Sequence, residues 1–300
     1  MRGMHAARRG GAARRALAAL TLAAITTACA GGTGQDGPAA PGGPTGRAAD
    51  PPGAETPGAS PSPRPNRALP RPGEVSRIPV ESLPPVIDHI PTKRKVVFLT
   101  IDDGWEQDPG FVEEVRRGGV PVTAFVTRDS VEGQGRADAA AGGGRYTAAE
   151  GWPYFTRLRD AGVPIENHTL THPNLRLLGP AAQKAEICGM SKRIEQRTGR
   201  RPWLFRPPFG NHNTATRVAA KECGIGALIM WTATVQKDAK IAYQVPDKKL
   251  RPGDIILMHF RPGLATDFKR LIRKIHRRGY EFGDLPAYLA AAGVRPRDHR

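Results

Sequence analysis

A chain of 300 residues has room for one or two domains, and 39% hydrophobic content is too low for all of it to be core. The formal net charge is +17, and residues 93–300 alone hold 35 Lys and Arg against 22 Asp and Glu. Such a charge suits anionic wall polymers, a membrane surface or simply a solvated basic face; with no nucleic-acid motif beside it, nucleic acid is not an expected partner.

Residues 1–28 read as an export signal. Arg2, Arg8, Arg9, Arg14 and Arg15 make a basic start, and residues 16–25 make an apolar run too short for a good membrane span. Thr26-Thr27-Ala28-Cys29 then resembles the lipobox of bacterial lipoproteins, with Thr26 where leucine is usual. Cys29 is therefore a candidate for lipidation, with ordinary signal cleavage as the alternative. The expected location is the extracellular face of the cell membrane, through a lipid anchor, or the secreted fraction. Residues 29–92 are dominated by Pro, Gly, Ala and Ser and are expected to be a disordered linker, because they cannot bury enough apolar surface to offset ordering entropy. Cys188 and Cys223 would share an oxidising compartment; a disulfide and two separate buried thiols both fit.

Residues 93–292 carry the folding pattern, and residues 293–300 form a basic tail. Lys95–Ile101 is apolar and β-branched at nearly every position, as in a strand covered on both faces, and runs into Asp102-Asp103-Gly104. A helix is expected over residues 108–117, a strand over 120–126, a long loop over 128–145 and a helix over 147–161. A third strand, 163–167, empties into His168-Thr169-Leu170-Thr171-His172. After a helix over 179–199, Trp203-Leu204-Phe205 delivers Arg206-Pro207-Pro208-Phe209-Gly210. A helix over 214–223 and strands at 226–231 and 253–260 follow, the last ending in His259, and helices near 268–275 and 284–292 close the chain. The alternation argues for parallel βα units, in a sheet or barrel whose site lies at the carboxyl ends of the strands.

Each motif alone has a plain reading. Asp102 and Asp103 fit a turn, two histidines four apart fit a surface, Arg206 fits an ordinary ion pair, and His259 fits a satisfied core residue. Together they follow four of the expected strands, whose carboxyl ends would share one rim. There Asp103, His168 and His172 would form an open three-ligand site for a divalent ion, and Arg206 could hold Asp102 ionised.

In chain order, Thr100-Ile101-Asp102-Asp103-Gly104, His168–His172, Arg206–Gly210 and Leu257-Met258-His259 resemble the motifs of the NodB-like polysaccharide deacetylases. The resemblance implies a distorted (β/α) barrel and a metal-dependent hydrolase that removes N-acetyl groups from a cell-wall or extracellular polysaccharide. It implies Asp102 as base, His259 as acid and Asp103, His168 and His172 as ligands of Zn²⁺, Co²⁺ or another divalent ion. Arg206 would hold Asp102, the Phe209 backbone N–H would bind the oxyanion, and Pro207, Pro208, Gly210, Trp231 and Leu257 would line the substrate site. One departure stands out: in Trp231–Asp238 the aspartate that usually partners the acid histidine is replaced by Thr234, leaving Asp238 as a candidate substitute after a shift in register. Two other functions fit the same motifs: an O-acetyl esterase or non-carbohydrate amidase on this scaffold, and a glycan-binding lipoprotein with little turnover.

Overall fold

A computed structural model describes residues 67–133 and 147–297. The expected signal peptide, Cys29, the first part of the linker, most of the 128–145 loop and the last three residues of the tail lie outside the described residues.

The centre is β3 (Val96–Asp103), buried along its length until Asp103. Around it lie β4 (Val122–Val126), β5 (Ile165–Asn167), β6 (Leu204–Phe205), β7 (Ala227–Ile229) and β2 (Val86–Ile87) on one side. On the other lie β10 (Ile255–His259), β8 (Ala233–Gln236) and β9 (Lys240–Tyr243). Every pairing is parallel except the β8–β9 hairpin. β1 (Arg67–Ala68) pairs with β11 (Glu281–Gly283), which pairs with the start of β3. The parallel strands and their crossover helices make the expected distorted barrel.

Alternation along the strands gives the barrel two sides. Val97, Leu99 and Ile101 pack outward with Ala124, Val126, Ile256 and Met258, under α1 (Pro109–Gly118), α3 (Trp152–Asp160), α4 (Pro180–Thr198) and α6 (Leu264–Arg277). Val96, Phe98, Phe125, Leu204, Ala227, Ile229 and Ile255 form the inner cluster, together with Tyr288 and Leu289 of α7 (Leu285–Ala291). A third cluster lies where α4 meets α5 (Thr214–Glu222), and there Cys188 and Cys223 form a disulfide with Cα atoms 4.9 Å apart. Local signals set the helix ends: Asp108 caps α1, accepting from the Gly110 N–H, and Gly119 closes it at φ 61°.

Four expected boundaries are corrected. The linker does not extend to residue 92: β1 and β2 are strands of the fold, the Ile90 N–H donates to the Gly253 carbonyl at 2.9 Å, and Glu74 accepts from Tyr288 and Arg94. The tail is not free at its start either. Val294 is fully buried, its N–H donates to the Leu289 carbonyl, and Arg297 donates to the carbonyls of Glu81 and Ser82. The 147–161 helix starts only at Trp152, and the 128–145 loop begins with the short helix α2 (Arg128–Glu132).

Candidate active site

The inner face of the barrel assembles the site by register. On β3, Phe98, Thr100 and Asp102 share that face; on β10, Ile255, Leu257 and His259 lie opposite them residue for residue. His259 therefore stands beside Asp102 at the carboxyl end of the sheet. An extended backbone would send Asp103 to the outer side. Instead its φ of 82° turns it out of the strand, and both adjacent carboxylates serve one rim. Gly104 makes the turn feasible: its φ is 116°, and an added Cβ would come within 2.9 Å of the Phe155 ring. Thr169 (φ 75°), His172 (φ 55°) and Phe209 (φ 59°) are also left-handed, so strained backbone concentrates around this rim.

Asp103 Oδ1 lies 3.6 Å from His168 Nε2 and 3.5 Å from His172 Nε2, and one ligand atom from each residue falls within 4.8 Å of the others. Two donors bound near 2.1 Å at the tetrahedral angle lie about 3.4 Å apart, so the spacing suits a zinc-like cation. His168 Nδ1 donates to the Arg206 carbonyl at 2.6 Å, which leaves the Nε2 lone pair turned to the cluster. Burial pulls the His168 imidazole down to about 3, keeping it neutral as a ligand must be. Burial and the neighbouring Asp102 carboxylate push Asp103 up to about 7. The site is thus short of positive charge, and a divalent cation fits it.

Arg206 is completely buried and donates through Nη1 to Asp102 Oδ1 at 2.6 Å, and through Nε to the Ile229 carbonyl at 2.9 Å. Its guanidinium also stacks on the Phe125 ring at 4.4 Å and lies 5.5 Å from the Trp231 ring. Pro207 and Pro208 are buried and stiffen the turn that exposes Phe209. The Phe209 ring meets His172 edge-on at 4.7 Å. An added Cβ on Gly210 (φ 69°) would come within 2.9 Å of Met230 and 3.3 Å of Trp231. Leu257 is buried on the inner face and Trp231 half-buried at the rim.

Asp238 is not the partner of His259. It is 70% exposed, sits in a 3-10 turn after β8 and pairs with Arg270 of α6 at 2.7 Å. The register instead places Thr234 beside Leu257, on the inner face and two residues short of His259. Burial accordingly lowers His259 below the ordinary histidine value; Asp102 opposes this, while Arg206 and Arg261 reinforce it.

Two supporting residues went unread in the sequence. Glu186 on α4 accepts the Leu170 and Thr171 N–H groups and the Thr171 hydroxyl, each at 2.9 Å, and pins the loop between the two histidines. Asn167 accepts from the Thr169 N–H and donates to Ile187 and Ser191. An acidic residue on an amphipathic helix gives no local sign of such a role.

Residues 89–228 match the family model described as polysaccharide deacetylase. An uncharacterized protein of Streptomyces coelicolor is 42% identical over 69% of this chain and 78% of its own length. The peptidoglycan-N-acetylmuramic acid deacetylase PdaA of Bacillus subtilis is 26% identical over 65% of this chain and 71% of PdaA. The solved structure of PdaA, a family 4 carbohydrate esterase, superimposes with a TM-score of 0.54 over 68% of this chain and 85% of that one, at 24% identity. A family 4 pseudoenzyme from Bacillus anthracis superimposes with a TM-score of 0.53 at 23% identity, over 65% of this chain and 66% of the other. The chain belongs to the polysaccharide deacetylase family, and with it to the deacetylase hydrolases.

Proposed function

We propose that the protein hydrolyses N-acetyl groups on a cell-wall polysaccharide of the N-acetylglucosamine or N-acetylmuramic acid type, with a divalent cation, zinc foremost, held by Asp103, His168 and His172. The observation that carries this reading is the inner-face alignment of Asp102 and His259 beside the Asp103–His168–His172 cluster. The names of relatives such as PdaA support the substrate class.

When bound, the cation supplies Lewis acidity, which makes water a better nucleophile and steadies negative charge on the carbonyl oxygen. The chain's own groups do the rest. Asp102, oriented by Arg206, takes the proton from the attacking water. The Phe209 N–H adds a donor for the oxyanion. His259 gives its proton to the leaving nitrogen as the C–N bond breaks, so water and acetamide become acetate and a free amine. The export signal and Cys29 support action outside the cell, from a lipid anchor or in secreted form.

Acetate release from peptidoglycan, chitin oligomers and acetylxylan, after chelation and again after Zn²⁺ or Co²⁺ is restored, tests the reading. Metal-dependent release from the N-acetylated glycans supports it; release from acetylxylan alone makes the protein an O-acetyl esterase. A second reading, a glycan-binding protein with little turnover, is favoured by one observation, the absence of a carboxylate where Thr234 faces the barrel interior. Metal and glycan binding without acetate release would select it.

A further inference from the structure

The loop that carries His168 and His172 is held by a carboxylate from outside it. Thr169 and His172 both have left-handed backbone, at φ 75° and 55°, and neither is glycine. Such residues persist only where their surroundings fix them, because an L side chain crowds the backbone in that region. Between them stand Leu170 and Thr171.

The four N–H groups of this stretch go to side chains. The Thr169 N–H donates to Asn167 Oδ1 at 2.9 Å and the His172 N–H to Thr169 Oγ1 at 3.1 Å. The Leu170 and Thr171 N–H groups converge on one atom, Glu186 Oε2, at 2.9 Å each, and the Thr171 hydroxyl donates to Glu186 Oε1 at 2.9 Å. Successive N–H groups aimed at one oxygen make an anion cradle, and here the anion is built into the chain.

Glu186 belongs to α4, and α4 meets the same stretch at other points. Asn167 Nδ2 donates to the Ile187 carbonyl at 2.7 Å and to Ser191 Oγ at 2.8 Å. Gly189 faces Leu170, whose Cδ1 an added Cβ would approach to 2.7 Å. Met190 and Ile194 bury α4 in the outer cluster, and Leu170 packs against that cluster. A helix anchored in a close-packed core thus presents the carboxylate at a fixed place.

We propose that Glu186 is a positioning residue for the cation site: by accepting these three bonds it holds residues 169–172 in their strained form, presets His168 and His172 toward Asp103, and so raises the affinity for a divalent cation. This rests on the reading of Asp103, His168 and His172 as cation ligands; Glu186 is not itself a member of that cluster. Without the carboxylate the loop relaxes toward ordinary backbone angles, and part of the binding free energy goes into ordering it again. His168 has a second hold, through Nδ1 to the Arg206 carbonyl at 2.6 Å, so the loop bears chiefly on His172.

The test titrates Zn²⁺ into the metal-free full chain and its variants, reading Kd by competition with a chelating dye. Tm and amide hydrogen exchange at Leu170 and Thr171 are followed in the same metal-free proteins. Glu186→Ala should bind zinc about tenfold or more weakly, as when groups that orient metal ligands are removed, with faster exchange at both amides. Glu186→Gln keeps an oxygen for the two N–H groups and an amide for the Thr171 hydroxyl oxygen, and should recover most of the lost affinity. Thr171→Val deletes one of the three bonds at an exposed position and should weaken zinc about threefold. Glu195, further along α4, pairs with Arg201, and Glu195→Ala should bind zinc like wild type. A lower Tm with unchanged zinc Kd in Glu186→Ala overturns the proposal; should that variant not fold, an unchanged Kd in Thr171→Val does so. Glu186→Gln binding as weakly as Glu186→Ala also overturns it, because charge and not hydrogen bonding would then decide the affinity. An equal loss in Glu195→Ala counts the same way. No zinc binding by wild type overturns the cation reading itself, and this proposal with it.

Discussion

The Arg206 guanidinium, wholly buried, donates to the Asp102 carboxylate at 2.6 Å. The pair crosses the barrel interior from the end of β6 to the end of β3. Removing one partner strands the other's charge away from water, which costs about 3–5 kcal/mol in comparable buried pairs. Urea unfolding of Arg206→Met should show a loss of that size, with Asp102→Asn/Arg206→Met recovering part of it. Arg206→Lys should not restore wild-type stability, because an ammonium cannot serve Asp102, Ile229 and Met230 together. Equal stability of wild type and Arg206→Met would contradict the pairing.

His259 must be protonated to act as an acid, and burial, reinforced by Arg206 and Arg261 and only partly opposed by Asp102, holds its pKa below the usual value. Deacetylation should therefore decline as pH rises through a value under the ordinary histidine range. Thr234→Asp places a carboxylate on the inner face near His259 and should move that alkaline limb upward by about one unit or more. The pH–rate profile and an NMR titration of His259 check it; an unmoved limb would sink the assignment.

Glu166 lies on the inner face, accepting the Trp203 and Leu204 N–H groups at 2.9 and 2.8 Å, yet burial pushes its carboxyl up to about 8. The unfolded carboxyl releases its proton near about 4.3. Because the folded pKa is the higher, wild-type stability falls as pH rises from there to about 8 and then levels off. Glu166→Gln keeps an acceptor oxygen and cannot ionise. Its Tm should gain on wild type across that window in a series of thermal melts; a pH-independent difference would contradict the account.

The Cys188–Cys223 disulfide ties α4 to the end of α5 across a sequence separation of 35. Closing a loop of that length restricts the unfolded chain by about 4 kcal/mol at most. Cys188→Ser/Cys223→Ser should lower unfolding free energy by up to that amount and leave the rim intact. No loss of stability would show that the bond contributes nothing.

How far the sequence could be read followed from what each element displays. Asp102, Asp103, His168, His172, Arg206 and His259 were legible because each lies at the end of an expected strand or in the turn just past one, and parallel strands bring such ends to one rim. β1 and β2 were not: with two residues each there is no period to see, and backbone pairing holds them in a stretch whose Pro and Gly content reads as linker. The β8–β9 hairpin was missed for a related reason. Thr234 and Asp238 are four apart, and only the pairing of β8 with β10 shows that one faces inward while the other leaves on a turn to meet Arg270.

The most direct test of the central claim compares zinc-loaded wild type with zinc-loaded Asp102→Asn, measuring zinc content and acetate released from an N-acetylated glycan. The account predicts equal zinc, held by Asp103, His168 and His172, with acetate release by wild type and a rate at least about a hundredfold lower in the variant, as expected for a lost general base. Equal zinc with undiminished acetate release from Asp102→Asn would contradict it.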